Sequence, residues 1–391
     1  MYMKHLLWIA GSVLVLGASC SNQSEQADHK TADTTTAQQF DSLLPPGFYK
    51  RFEGKVAGQP VVLHLQGSGN RIEGLYYYQS QGKWIGLHQL ADSTNGDAIY
   101  LWEQEYNDLS NSERPETALQ LQYNSGTLSG YWTRSGSRKP VSLRESYPDG
   151  SFQFTTFSTK DSAIAVPGNA ESPMARISYW FAMAPGNSSE DRWYNDQIRR
   201  MLFGDAGSQD FYIAAAKAQR DYLEQYKKDL ADMSPEERAA PFLNFEKADF
   251  AYIRYNNKGF VIVEHMNYSY EGGAHGNYGS LISCYDLVAK RKLTLRDIVK
   301  ADTGTIRRLA EENLRQQAGL KPSDPLNNLL FENALTLTDN FYFTEKGIGL
   351  LYNPYEIASY AQGNIQIFIP FTQLQGKINE DFLHRLTAVA R

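Results

Sequence analysis

Between residues 45 and 145 the chain is written in short alternating runs broken by glycine: "GFYKRFEGKV", "QPVVLHLQ", "NRIEGLYYYQ", "GKWIGLHQL", "AIYLWEQE", "ALQLQY", "GTLSGYWT" and "KPVSLRES". In the second run Val61, Leu63 and Leu65 alternate with Val62, His64 and Gln66. That is the period of two that puts successive side chains on opposite faces of a strand. Turns are supplied by the 67–70 stretch, Gln81-Gly82, Asn95-Gly96 and Ser125-Gly126. Eight strand-length runs with hairpin-length links and no helical period predict an all-β antiparallel meander, closed into a small barrel or sandwich.

The pattern changes after a connecting segment, 146–171, for which one strand is expected. "ARISYWFAM", "FAYIRYNN", "GFVIVEHMNYSYE", "YGSLISCYDL", "NFYFTEKGIGLLYN" and "NIQIFIPF" read as strands. Between them, Ser189 followed by Glu190 and Asp191 starts a helix, since acidic side chains favour the positive helix N-terminus. That helix is expected to bury Trp193, Ile198, Met201 and Leu202. A second, from near Ser208, holds Phe211, Ala215, Ala218, Tyr222 and Tyr226 on one stripe at spacings of three and four. Ser234-Pro235-Glu236-Glu237 caps a short turn, and further helices are expected over 304–317, 325–334 and 379–390. Strands and helices interspersed with long hairpins predict an α+β part over 172–391, a mixed sheet with packed helices.

The first 20 residues carry an address. Lys4 precedes an apolar run over 6–16, shorter than the ~20 residues a bilayer span needs and typical of a secretory signal. Gly17-Ala18-Ser19-Cys20 resembles the bacterial lipobox, although Leu16 stands one place earlier than the usual leucine. Cys20 is the expected lipidation site, giving an exported lipoprotein anchored to the membrane on the periplasmic side or at the cell surface. Residues 21–44 are polar and Thr/Gln-rich, a flexible tether whose reach as coil is about 25 Å. Cys284 is the other of the two cysteines, so a lipidated chain has no internal disulfide, and burial is the expected state of that thiol.

Composition narrows the function classes. With 42% hydrophobic and 21% charged residues the chain can bury a core. A net charge of −6 without a basic block argues against a nucleic-acid partner. The 25 tyrosines and 19 phenylalanines suit both sheets and sugar-stacking surfaces. Tyr76, Tyr77, Tyr78, Trp84, Trp102, Tyr131 and Trp132 could stack on glycans or simply fill the core and rim of the meander. No His-Glu-x-x-His, Gly-x-Ser-x-Gly, phosphate-binding loop or Cys-x-x-Cys occurs, and the seven histidines show no zinc-ligand spacing. No catalytic residue, cofactor or metal is therefore expected.

One hairpin stands out: "YEGGAHGNYG" at 270–279. Gly272, Gly273 and Gly276 permit positive φ or close backbone approach. His275 either holds the turn or faces a ligand, and Asn277 readily bonds local backbone. If Glu271 pairs with Tyr278, antiparallel register sets His265 opposite Cys284, the raw material of a thiol nucleophile. Glu264, His275, Asp286 and Glu356 are the groups that a hydrolase could use for acid–base work.

"YEGGAHGN", "CYDLVAKRKLTLRDIV" and "NFYFTEKGIGLLYNPYEIASYAQGNIQIFIPF" together resemble the exported domain shared by RsiV-type anti-sigma factors and the N-terminal region of PdaC-type peptidoglycan deacetylases. "ISYWFAM" and "WYNDQIRRML" resemble the smaller leading half of that domain. The resemblance spans about 172–391 and leaves the meander outside. It implies binding outside the membrane to a lysozyme-like protein or to peptidoglycan. It also makes Tyr355 and Tyr360 of "PYEIASYAQG" candidate binding or turn residues beside the hairpin. Five residues precede the apolar run, so no cytoplasmic sigma-binding segment is expected. His384 is the only histidine after His275, so no deacetylase domain is expected to follow. The expectation is a non-enzymatic binding module of the cell envelope; the alternative is a cell-wall-directed hydrolase with its site near the hairpin.

Overall fold

The strand alternation read between residues 45 and 145 resolves into a closed barrel. The computed structural model describes residues 44–45, 47–89, 98–104, 117–204 and 210–388. The leader, Cys20, nearly all of the tether, the Asn95-Gly96 turn and Ser208 lie outside them. Strands β1 (Gly47–Val56), β2 (Gln59–Ser68), β3 (Arg71–Tyr78), β4 (Ile85–Gln89), β5 (Ala98–Gln104), β6 (Thr117–Asn124), β7 (Thr127–Arg134) and β8 (Ser137–Glu145) pair in chain order, all antiparallel. β1 closes on β8 from Phe52↔Glu145 to Val56↔Val141. Closure removes the exposed edges that an open meander would leave. One set of alternate side chains, including Phe52, Leu63, Tyr76, Leu101 and Leu121, fills the interior. The aromatic candidates divide by the same alternation. Tyr76, Tyr77 and Trp84 are buried, Tyr78, Trp102 and Trp132 are half-buried, and Tyr131 is exposed.

The second part is α+β, as its mixed periodicity predicts. A six-stranded sheet runs in the order β14 (Arg291–Lys292), β13 (Asn277–Asp286), β12 (Phe260–Tyr270), β11 (Phe245–Asn257), β10 (Met174–Met183), β9 (Thr155–Ile164). The connecting segment thus contributes a full edge strand, paired with β10 from Met183↔Thr155 to Met174↔Ile164. Only β10 and β11 are parallel, and the crossover between them carries α1 (Ser189–Phe203), α2 (Phe211–Asp229) and α3 (Pro235–Arg238). α1 starts where expected because Ser188 and Asp191 form a reciprocal capping box, and Asp210 caps α2.

Those helices cover one sheet face, where Ile198, Ala215, Leu223 and Tyr226 meet Ile177, Phe181, Ile253 and Val263. The opposite face, with Phe260, Ile262, Ile282 and Cys284, packs on a three-stranded sheet and α5 (Thr303–Gln317), which follows the short α4 (Leu295–Ile298). The small sheet is β15 (Phe341–Thr344), β16 (Gly347–Tyr352) and β17 (Ile365–Pro370), and α6 (Glu380–Thr387) ends the described chain.

Two expectations fail here. The helix expected over 325–334 is a single 3₁₀ turn, Leu326–Asn328. Its backbone is claimed elsewhere: Asn333 accepts from the Leu326 N–H at 2.7 Å, and the Phe331 N–H donates to Ile357 O at 2.9 Å. The His265–Cys284 pairing also fails. Tyr268 pairs with Tyr278, so the register is three residues from the expected one, and His265 stands opposite Leu281 while Cys284 stands opposite Ile262. An odd shift sends the two side chains to opposite faces.

Barrel and sheet share a core. Val62, Leu75, Tyr77 and Trp84 pack in the same apolar cluster as the small sheet. A β-bulge at Ile253/Tyr255 receives the buried Gln66 amide, which donates to Ala251 O at 3.1 Å. Arg254, inside the bulge, donates to Gly74 O of the barrel at 3.1 Å and to Glu264 at 2.6 Å. No helix among the described residues is long and apolar enough to cross a membrane.

Candidate functional site

The β12–β13 hairpin ends in a glycine loop because three separate constraints meet there. Gly272 and Gly273 take φ of +87° and +109°, a region closed to ordinary side chains. Gly276 is different: a β-carbon there would overlap the Tyr268 ring. The Tyr270 hydroxyl donates to Gly273 O at 3.0 Å and draws that tyrosine out of β13 pairing, which ends at Ser269↔Asn277. The loop beyond this last rung runs from Tyr270 to Gly276.

His275 is exposed, yet its ring is held. Nδ1 lies 2.9 Å from Gly276 O, so it carries the proton and donates to its own turn. The ring stacks on Tyr360 with centroids 4.0 Å apart, and Nε2 lies 3.5 Å from the Tyr355 hydroxyl. Tyr360 reaches the same carbonyl, donating to Gly276 O at 2.8 Å. Tyr278 meets Tyr360 edge-on at 5.7 Å and Tyr355 lies 5.6 Å from it. His275, Tyr355 and Tyr360 therefore come together, and the carbonyl of the buried Gly276 joins His275 to Tyr360. Asn277 is exposed at the first rung of β13.

Tyr355 sits oddly for a tyrosine. Its φ is +66°, and 57% of the residue is exposed. Non-glycine residues in this region are uncommon and persist where surrounding bonds over-determine them. Here the Tyr355 N–H donates to Ala358 O, and the Glu356 carboxylate accepts the Asn353 N–H at 2.8 Å. Asn353 in turn accepts from the Ser280 N–H at 2.6 Å, which ties the turn to β13. The result is a phenol presented to solvent on a fixed backbone.

The groups named for acid–base chemistry do not converge. Glu264 is buried and ion-paired with Arg254. Asp286 is held by both terminal guanidinium nitrogens of Arg385, at 2.5 and 3.1 Å. Burial alone would raise its carboxyl, but the Arg385 bonds and the Ala289 N–H outweigh this and hold it below the usual range. Glu356 caps its own turn. Burial pushes the Cys284 thiol well above its ordinary range, and its Sγ donates to Phe341 O. Among the described residues no group of histidine, cysteine and carboxylate side chains could hold a metal ion. Sequence reasoning missed two imidazole–carboxylate pairs, His265–Asp249 at 2.8 Å and His88–Glu73 at 2.7 Å, because each depends on strand register.

Residues 296–372 match the family described as "Protein of unknown function (DUF3298)". The matched stretch runs from α4 through β17 and carries Tyr355 and Tyr360; the hairpin with His275 precedes it. No curated protein matches the chain. Among solved structures, a DUF3298 family member from Bacteroides fragilis is 21% identical, with a TM-score of 0.55, over 61% of this chain and 98% of that one. A DUF3298 family protein from Pseudomonas aeruginosa is 20% identical, with a TM-score of 0.41, over 58% of this chain and 94% of that one. The first likeness is one of fold.

Proposed function

We propose that this chain is a cell-envelope lipoprotein, exported and anchored through Cys20, whose α+β part is a non-enzymatic binding module for a lysozyme-like protein or a cell-wall glycan. The observation that carries the reading is Tyr355, an exposed ring on a left-handed backbone beside His275 and Tyr360. Rigid aromatic side chains with a polar tip contribute large contact area at small entropic cost, in protein interfaces and on sugar faces alike. His275 spends its proton on its own turn, and every candidate carboxylate is engaged elsewhere, which favours recognition over bond-making. The RsiV- and PdaC-like sequence runs support an envelope setting, and the lipobox-like Cys20 supports the anchor.

The test is capture of the folded mature chain on immobilised lysozyme and on purified peptidoglycan. Binding to either is expected, weakened about tenfold or more by Tyr355→Ala, as loss of an interface aromatic would give. A folded protein that binds neither overturns the reading. Turnover of peptidoglycan fragments that His275→Ala abolishes would replace it with the hydrolase.

A further inference from the structure

We propose that the aromatic site at the hairpin continues across the sheet as a strip ending at Arg71 of the barrel, and that the strip takes an extended polysaccharide bearing carboxylates. This rests on the tip being a binding surface and goes further by naming the ligand class and a residue that reads its charge.

The strip follows from register. Phe250 of β11 pairs with Met266 of β12; two residues on, and so on the same face, Tyr268 pairs with Tyr278 of β13. Tyr278 touches Tyr360, which touches Tyr355. Met266, Tyr268, Tyr278 and Tyr360 are all half-buried, each showing part of its surface along one line. With strands about 4.8 Å apart and side chains on one face repeating about every 6.8 Å, the line runs on the order of 20 Å. Half-exposed tyrosines in a row offer flat apolar faces with hydroxyl rims, which matches the alternating C–H and hydroxyl surfaces of sugar rings.

Arg71 closes the far end. Its guanidinium lies 4.4 Å from the Phe250 ring centroid and 5.3 Å from that of Trp180. Its only described ion pair is with Glu73 at 3.3 Å, longer than a strong charge-assisted bond, and 45% of its side chain is exposed. Stacked on two rings, it is pre-oriented with donors to spare, the arrangement that reads a carboxylate. The barrel thereby contributes to recognition, not only to support.

The experiment uses the folded mature chain and two probes: a glucuronate-containing hexasaccharide, and the same hexasaccharide with its carboxyls reduced to alcohols. The wild type should bind the acidic chain about tenfold tighter than the reduced one, the scale of one exposed charge-assisted bond. Arg71→Gln should erase that preference and leave affinity for the reduced chain unchanged, whereas Tyr355→Ala should weaken both. Arg71→Lys, which keeps the charge, should restore part of the preference and separates recognition from misfolding. A preference that survives Arg71→Gln overturns the proposal while the tip reading stands. If neither hexasaccharide binds but lysozyme does, the ligand class is wrong and the tip remains a protein-binding surface. Failure of both hexasaccharides, of lysozyme and of peptidoglycan sinks both readings.

Discussion

The indole of Trp84 in the barrel lies almost flat on the ring of Tyr342 in β15, with centroids 3.6 Å apart and planes 11° from parallel. Trp84 is 1% exposed and Tyr342 fully buried, so the stack sits inside the joint between barrel and sheet. With the Gln66 amide seated in the β11 bulge and Arg254 donating back to Gly74, the joint is both apolar and specifically hydrogen-bonded. Barrel and sheet should therefore unfold in one transition. Trp84→Ala is expected to lower stability by about 3–5 kcal/mol, the usual cost of emptying such a site. Urea unfolding followed by far-ultraviolet dichroism checks this. Two separated transitions in the unaltered protein would show that the joint does not couple its halves.

The hairpin gives a second prediction. Gly276 has no β-carbon because the Tyr268 ring occupies that space, and its carbonyl receives bonds from both His275 and Tyr360. Gly276→Ala must move the tyrosine or the turn, and overpacking of this kind costs about 1–3 kcal/mol. Binding at the tip should fall with it. Gly58→Ala, in a β1–β2 turn at positive φ with open space around it, shows the cost of backbone strain alone, which Gly276 outside that region does not pay. A Gly276→Ala variant as stable as the wild type would mean that contact with Tyr268 is unimportant.

Much of this architecture is legible in the amino-acid sequence, for an identifiable reason. Runs such as "PVVLHLQ" alternate because Val61, Leu63 and Leu65 fill the barrel interior while Val62 and Gln66, on the other face, pack against the sheet, so period and glycine turns define the strands. The capping residues Ser188, Asp210 and Ser234 likewise mark helix starts through local bonds. What local pattern does not encode is where partners from distant segments fall. The register that separates His265 from Cys284 is fixed by pairing along the whole of β12 and β13, which the glycine loop alone does not reveal. The 325–334 segment failed to be helical because Ile357 and Asn333 took its donors. His275 was visible as an oddity among glycines, but its commitment to the turn needed Tyr360, some eighty residues away, to be placed.

Cys284 supplies a third prediction. Its thiol is 1% exposed, is raised by burial, and donates to Phe341 O. The thiolate is the reactive form, so native protein should resist iodoacetamide at neutral pH and react stoichiometrically once unfolded. Native labelling as fast as that of the unfolded chain would mean the thiol is poised, not packed.

Acid should weaken the contact between β13 and the last helix. Asp286 is held below its ordinary value of 3.8 when folded, offset against burial by Arg385. A depressed folded value means that the pair adds stability above the unfolded pKa and loses it as pH falls through the folded one. Comparing the wild type with Asp286→Asn by urea midpoint, the difference should hold steady above about pH 5 and shrink below about pH 4. A gap that persists unchanged into strong acid would remove the ion pair from the account.

The last prediction concerns how β13 avoids presenting an open edge. The side-chain amide of Asn340 accepts from the Ile282 N–H at 2.7 Å and donates to Ser280 O at 2.8 Å, as a neighbouring strand would. Asn353 takes the Ser280 N–H. All three backbone groups belong to the strand that carries the hairpin, and Asn340 is 6% exposed, so water does not readily replace it. Asn340→Ala would leave a buried donor and a buried acceptor without partners, at about 1–3 kcal/mol each. The loss should therefore exceed the ~1 kcal/mol typical of a single substitution. Its signature is local: the Ile282 amide should exchange with solvent far faster than the Val263 amide on the adjoining strand, while the fold persists. Equal acceleration at both amides would mean that the substitution lowers global stability without opening the edge, and that Asn340 acts through packing alone.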